Sequence, residues 1–203
     1  MGAEQKVAIV TGAASGAGPA LLCAYLGRNY RVVAIGDGIG PRCDSVLHIA
    51  SQLDDEDAAA HIVRQVLQRF GRIDTLVNQM PAIRCTAEGA DLCRQRLLEP
   101  LGAFLPLTQR VVLVMQQKSH GHVLNICAPG SASAYDHARQ GCVEAATVAL
   151  AAEVAPHRIR VNAITPACDK PAAVADIVHA ALYLDAAPFT TGLCLRLDVT
   201  GPQ

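Results

Sequence analysis

Aromatic side chains are scarce, at 3% of 203 residues, and tryptophan is absent. A core without them must come from small aliphatic side chains, which let helices pack closely on a sheet. Charge is also sparse at 17%, with 17 Lys and Arg against 18 Asp and Glu and a net charge of −1. No Lys/Arg run supplies the basic stripe that a nucleic-acid surface requires, which argues against a nucleic-acid partner. No apolar run approaches the length of a membrane span, so no membrane partner is expected. The stretch from Met1 to Lys6 lacks the charged n-region and cleavage site of a secretory signal. Gly2 is not followed by Ser or Thr at position 6, so the myristoylation pattern is absent too. Together these absences predict a cytoplasmic protein. None of the eight cysteines falls in a Cys-x-x-Cys pair, so neither a disulfide framework nor a structural zinc site is expected. Several lie in apolar strand or helix patterns and are expected to act as small buried hydrophobes. His120-Gly121-His122 offers two imidazoles without an evident third ligand and reads as a loop. No metal is predicted.

What the chain has is apolar residues, at 51%, too many for a disordered segment. They are organised around Val7-Ala-Ile-Val-Thr11-Gly12-Ala-Ala-Ser15-Gly16-Ala17-Gly18. Val7 to Val10 have the length and β-branched content of a buried strand. The chain then turns at Thr11-Gly12 and enters a helix over Pro19 to Leu26. Glycines at 12, 16 and 18 permit backbone angles and close approaches that a Cβ would block. The free N–H groups of such a helix start, with its dipole, favour a phosphate or pyrophosphate. A second strand, Arg31 to Ile35, follows at βαβ distance.

Strands and helices then alternate. Short strands are expected at Ser45 to Ile49, Ile73 to Asn78, Val123 to Cys127, Ile159 to Asn162 and Cys194 to Leu197. Helices are expected at Asp55 to Phe70, Asp91 to Gln117 with a break near Pro100, Asp136 to Ala155, and Ala172 to Tyr183. This alternation predicts a doubly wound α/β fold with a mainly parallel, seven-stranded sheet covered by helices on both faces. With no linker or repeat, residues 1–203 read as one domain.

Five ordered segments resemble the short-chain dehydrogenase/reductase family: Thr11-Gly12-x-x-x-Gly16-x-Gly18, Phe70-Gly-Arg-Ile-Asp-Thr-Leu-Val-Asn78, Val123-Leu-Asn-Ile126, Glu153-Val-Ala-Pro-His-Arg-Ile-Arg-Val-Asn162, and Thr191-Gly192. The resemblance spans nearly the whole chain. It implies a Rossmann-like three-layer sandwich, a homodimer or homotetramer built on the two long helices, and NAD(H) or NADP(H) as cofactor. The helical stretches Leu97 to Gln117 and Gly141 to Ala155 are the expected self-association surface.

The family's chemistry uses Asn, Ser, Tyr and Lys. Matched by the surrounding motifs, those positions hold Glu99, Ala128, Asp136 and Gln140 here. Tyr135 lies one residue early, with Arg139 four residues after it, and these two are the candidate catalytic residues. A phenol with an ordinary pKa near 10 needs a positive neighbour to work near neutrality. Arg supplies the charge, but its planar fork is not an ammonium. A slip of one residue also turns a side chain about 100° around a helix.

The expected cofactor contacts are Gly12, Ser15, Gly16, Ala17, Gly18, Asp37, Leu53 and Asn78. Asp37 lies beside Gly36, where the family places the acidic residue that grips the ribose. No Lys or Arg lies in the glycine loop or directly after that strand, so NAD is favoured over NADP. The family's Asn-Asn-Ala-Gly is Asn78-Gln-Met-Pro81 here, and Lys170-Pro171 runs almost directly into a helix where the family carries its substrate lid. The lid after Pro166 therefore reads as largely deleted.

These features predict a family-like protein with a retained dinucleotide-binding glycine loop, weak or non-catalytic as an oxidoreductase, with an intact family paralogue as a candidate partner. The alternatives are a reductase using Tyr135 and Arg139 on a small carbonyl or alcohol, and a non-redox enzyme similar to halohydrin dehalogenases.

Overall fold

The β-branched run predicted as a strand is β1, Val7–Thr11, with every residue buried. It lies in the middle of a seven-stranded sheet in a computed structural model that describes residues 4–36, 43–50, 56–80, 99–128, 134–166 and 171–198. The remaining elements are α1 (Gly18–Gly27), β2 (Arg31–Ile35), β3 (Val46–Ile49), α2 (Glu56–Phe70), β4 (Thr75–Gln79), α3 (Glu99–Lys118), β5 (Gly121–Ile126), α4 (Ala134–Val154), β6 (Ile159–Pro166), α5 (Pro171–Ala186) and β7 (Cys194–Leu197). The strand order is β3-β2-β1-β4-β5-β6-β7, and all six pairings are parallel. The order reverses between β1 and β4, which opens the crevice where ligands of doubly wound sheets bind.

Side chains alternate across the sheet and divide the core into two layers. On one face Ile9, Leu76, Val123 and Val161 pack with Ile62, Val66, Leu107, Val111 and Met115 from α2 and α3. On the other, Val10, Val77, Leu124 and Ile164 pack with Leu21, Leu22 and Tyr25 of α1 and Ala181 and Leu184 of α5. Of the apolar spacing that marks α2 in the sequence, Ala59, Ile62, Val63 and Val66 are buried together with Phe70, and Leu67 packs on them partly buried. Gly71 ends that helix at φ +74°, with its N–H on Leu67 O, the left-handed stop that glycine adopts without strain.

α3 is described from Glu99, so Pro100 lies at its first turn, where proline is tolerated, and Pro106 lies inside it; residues 91–98 of the expected helix lie outside the described residues. Three expectations change. His120-Gly121-His122 is not wholly a loop, because Gly121 and His122 pair with Ile159 and Arg160 as the start of β5. β6 continues four residues past Asn162 to Pro166, held by β7 along its outer edge. Of the five described cysteines only Cys127 is buried, whereas Cys23, Cys43 and Cys142 are exposed.

At the N-terminal rim of the strands, a polar knot ties α5 to the sheet. Asp185 accepts from Tyr30 Oη at 2.6 Å and from Thr75 Oγ1 at 2.8 Å. His122 Nδ1 lies 3.4 Å from the same carboxylate. Asn162 Nδ2 can only donate, and it reaches His122 Nε2 at 3.3 Å, which leaves the imidazole proton on Nδ1, facing Asp185. Beside this knot is a cavity of about 580 Å³ lined by Lys6, His122, Arg158, Asp185 and Phe189, among others. It lies at the rim opposite the glycine loop. Next to it Tyr25 is fully buried, and its hydroxyl has no hydrogen-bond partner among the described residues. An unpartnered buried hydroxyl costs about 1–3 kcal/mol. Tyr25→Phe should therefore leave the thermal midpoint unchanged or raise it. A fall of several degrees in a melting curve would show that the hydroxyl has a partner in solution.

Candidate functional site

The first βα turn is held open by its glycines. Gly12 and Gly16 have φ +61° and +55°, a region that costs residues with a Cβ about 1–2 kcal/mol. Gly18 is confined differently. A Cβ there would lie 2.4 Å from Gly12 O and 2.8 Å from the Ala13 backbone, so helix α1 begins in direct contact with the strand end. Within the turn, Ser15 N–H donates to Gly12 O and Gly18 N–H to Ser15 O. Ala17 is the N-cap of α1, no side chain caps the helix, and its first turn holds no acidic residue. Among the described residues the N–H groups of Gly16 and Ala17 donate to no backbone carbonyl. A bare helix start with free donors and the positive end of its dipole is a receptor for a phosphate-type anion. The loop thus brings together five of the predicted contacts: Gly12, Ser15, Gly16, Ala17 and Gly18. Asp37 and Leu53 lie outside the described residues.

Asn78 is not brought to that loop. Its side chain, at the end of β4, donates to Thr108 Oγ1 at 2.9 Å and Asn125 Oδ1 at 3.0 Å, on the α3 side of the sheet. Asn125 Nδ2 donates onward to Thr147 Oγ1 of α4, and Thr108 Oγ1 donates to Phe104 O. Asn78 therefore ties β4 and β5 to α3 and α4. The residue that meets the loop is its neighbour Gln79, whose Nε2 donates to Gly12 O at 3.0 Å and Ser15 O at 2.7 Å. Gln79 N–H also donates to Thr11 Oγ1 at 3.0 Å. The sequence carried a signal for this: side chains alternate along a strand, so Gln79 shares a face with Val77 and lies under α1.

Beyond β5, Cys127 and Ala128 are buried, at 3% and 2% exposure. Burial pushes the Cys127 thiol up to about 11, against the opposing hydrogen bond with Thr165. It stays protonated near neutrality and is no nucleophile. On α4, Tyr135 is half-buried and Arg139 is buried. The Arg139 guanidinium lies 3.5 Å from the Asp136 carboxylate, one helical turn back. Tyr135 and Arg139 thus share the helix, but Asp136 offsets the cationic charge. Farther along the same helix, Glu144 accepts from Thr165 Oγ1 at 3.1 Å and pairs with Arg196 at 3.1 Å, joining α4 to β6 and β7. Among the described residues no group of His, Cys, Asp and Glu could hold a metal ion, and no helix is long and apolar enough to cross a membrane.

Comparison with known proteins places this geometry. The family model for short chain dehydrogenase matches residues 6–181. L-fucose dehydrogenase of Mus musculus is 30% identical over 177 residues, which cover 79% of this chain and 64% of that protein. The chain thus matches slightly under two thirds of that relative's length. The 3-oxoacyl-[acyl-carrier-protein] reductase FabG of Thermotoga maritima is 30% identical over 190 residues, covering 80% of this chain and 74% of the reductase. Among solved structures, 3-ketoacyl-(acyl-carrier-protein) reductase from Brucella melitensis, complexed with NADH, has a TM-score of 0.77 at 23% identity, covering 97% of this chain and 98% of that one. That likeness bears on the fold.

Proposed function

Because the chain belongs to the short-chain dehydrogenase family, we propose that it binds a nicotinamide dinucleotide at the glycine loop and is weak or inactive as an oxidoreductase. The observation that carries the binding half is the turn itself: two left-handed glycines, a third pressed against the strand end, and the free N–H groups of Gly16 and Ala17. These residues fit a diphosphate. A bound nicotinamide would supply or accept hydride. The chain's own part would be to hold the diphosphate at the start of α1, while Asn78 and Asn125 tie β4 and β5 to α3 and α4.

The second half rests on the helix that follows β5. A proton donor near the nicotinamide needs a hydroxyl with an adjacent uncompensated cation. The family's Ser, Tyr and Lys positions hold Ala128, Asp136 and Gln140, and Arg139, a cation on this helix, has a carboxylate beside it. A reductase using Tyr135 and Arg139 is the second reading, supported by their i,i+4 placement on α4. Only four residues, 167–170, join β6 to α5, too few for a substrate lid at that place. NAD is the favoured form, since the loop carries no basic side chain for a 2′-phosphate.

Calorimetric titration with NADH, NADPH and ADP tests this function. Binding of NADH and ADP, with no turnover across a panel of carbonyl substrates, is the expected result. Absence of binding by all three would overturn it, and turnover abolished by Tyr135→Phe would establish the second reading. The protein is further proposed to self-associate, as a homodimer or homotetramer or with an intact paralogue, through α3 and α4. Leu113 and Val148 stand on these helices at 54% and 53% exposure. Sedimentation at micromolar concentration should show a species larger than the monomer, and a monomer would refute this.

A further inference from the structure

Gln79 stands where the family motif has its second Asn, and its side chain donates to two carbonyls of the glycine loop. Its amide lies under the turn, nine-tenths buried. A Cβ added to Gly12 would meet Gln79 Nε2 at 3.1 Å, and one on Gly16 would meet it at 3.3 Å. The two carbonyls that it caps, Gly12 O and Ser15 O, also accept the turn's internal bonds from Ser15 N–H and Gly18 N–H. One NH2 group thus closes both successive links of the turn from below. The reverse amide orientation would set its oxygen against two carbonyl oxygens, so the observed one is fixed. Its consequence is visible: Gln79 Oε1 is buried without a hydrogen-bond partner among the described residues. The acceptor is left unmet while both donors serve the loop.

We propose that Gln79 is a positioning residue that locks the glycine loop with its free N–H groups turned outward, so that the diphosphate of a dinucleotide meets donors already in place. This rests on the nucleotide-binding reading and deepens it. Donors held in advance lower the ordering cost of binding, and the gain goes to whichever part of the ligand those donors meet. Loss of the brace should therefore weaken ligands that carry a diphosphate and spare those that do not.

The experiment compares ADP, NADH and adenosine by calorimetry on the wild-type chain, Gln79→Met and Gln79→Asn. Met keeps length and volume but offers no donor. Asn keeps the amide but is one methylene too short to span both carbonyls. Gln79→Met should weaken ADP and NADH at least tenfold with adenosine unchanged within twofold, and Gln79→Asn should fall between. Amide hydrogen exchange at residues 12–17 in the ligand-free protein should be faster in both variants and unchanged in the strands. Equal weakening of all three ligands, or unchanged exchange in the loop, would make Gln79 ordinary packing and overturn the proposal. Binding by the wild type with no change in Gln79→Met would overturn it while leaving the nucleotide reading intact. A wild type that binds none of the ligands would defeat both. If Gln79→Met does not fold, Gln79→Asn and the exchange measurement decide the matter alone.

Discussion

Gly18→Ala should abolish measurable NADH and ADP binding, a loss of at least a hundredfold. The added methyl would lie 2.4 Å from Gly12 O and 2.8 Å from Ala13, all backbone atoms with no rotamer to yield. Either α1 slides away from the end of β1 or the turn opens, and both displace the N–H groups of Gly16 and Ala17. Overpacking of this kind costs about 1–3 kcal/mol, so the fold should survive with a lowered thermal midpoint. That makes the binding loss interpretable. Gly27→Ala, at the other end of the same helix, is the control. Nothing lies within 4 Å of a Cβ there, and alanine should stabilise the helix by about 0.5–1 kcal/mol. Titration of both variants with ADP, beside their melting curves, checks the prediction. Wild-type affinity in Gly18→Ala would mean that the loop does not bind the ligand.

Asp185→Ala should be the most destabilising single change at the opposite rim, by about 3 kcal/mol or more, because each donor left without an acceptor costs about 1–3 kcal/mol. It strips Tyr30, Thr75 and His122 of their common acceptor at once. At about 2–4 °C per kcal/mol for a chain of this size, the midpoint should fall by roughly 6 °C or more. The same knot makes the protein sensitive to acid. Burial penalises the Asp185 charge, but the hydrogen bonds from His122, Tyr30 and Thr75 prevail and hold its carboxyl down at about 2, against 3.8 ordinarily. Burial likewise lowers His122 from its ordinary 6.5, despite its bond to Asp185. In both cases the unfolded chain binds a proton that the folded chain refuses, so stability falls as pH falls. The His122 contribution is complete above about 6.5 and erodes below it. The Asp185 contribution is complete above 3.8 and is lost as pH falls toward 2. Denaturant melts from pH 7.5 to 3 should show stability declining already between 6.5 and 5, and Asp185→Ala should remove the lower-pH part. A flat profile across that range would refute the assignment.

How far the chain could be read without coordinates depended on whether the physics was local. The glycine turn was legible because left-handed φ at residues 12 and 16 and the close approach at 18 each demand the missing Cβ at a fixed position. α2 was legible from the spacing of Ala59, Ile62, Val63 and Val66. The segment His120 to His122 was not, because what makes His122 a strand residue is its pairing with Thr75 and Arg160, 47 and 38 positions away. Pro106 lies inside α3, where a local rule disfavours proline and the packing of Leu107, Val111 and Met115 on the sheet prevails. For Asn78 and Gln79, motif matching drew attention to the first, although alternation across β4 puts the second beneath the turn.

That alternation has an evolutionary consequence. Adjacent amides at the end of β4 answer to opposite layers: Gln79 to the turn before α1, Asn78 to Thr108 and Asn125 on the side of α3 and α4. A substitution at 79 is thus felt first in the turn before α1, and one at 78 first in the layer of α3 and α4. On the proposed reading, the departures at 128, 136 and 140 leave that turn untouched. Reaction chemistry can then be selected on this scaffold by changing residues beyond β5 alone.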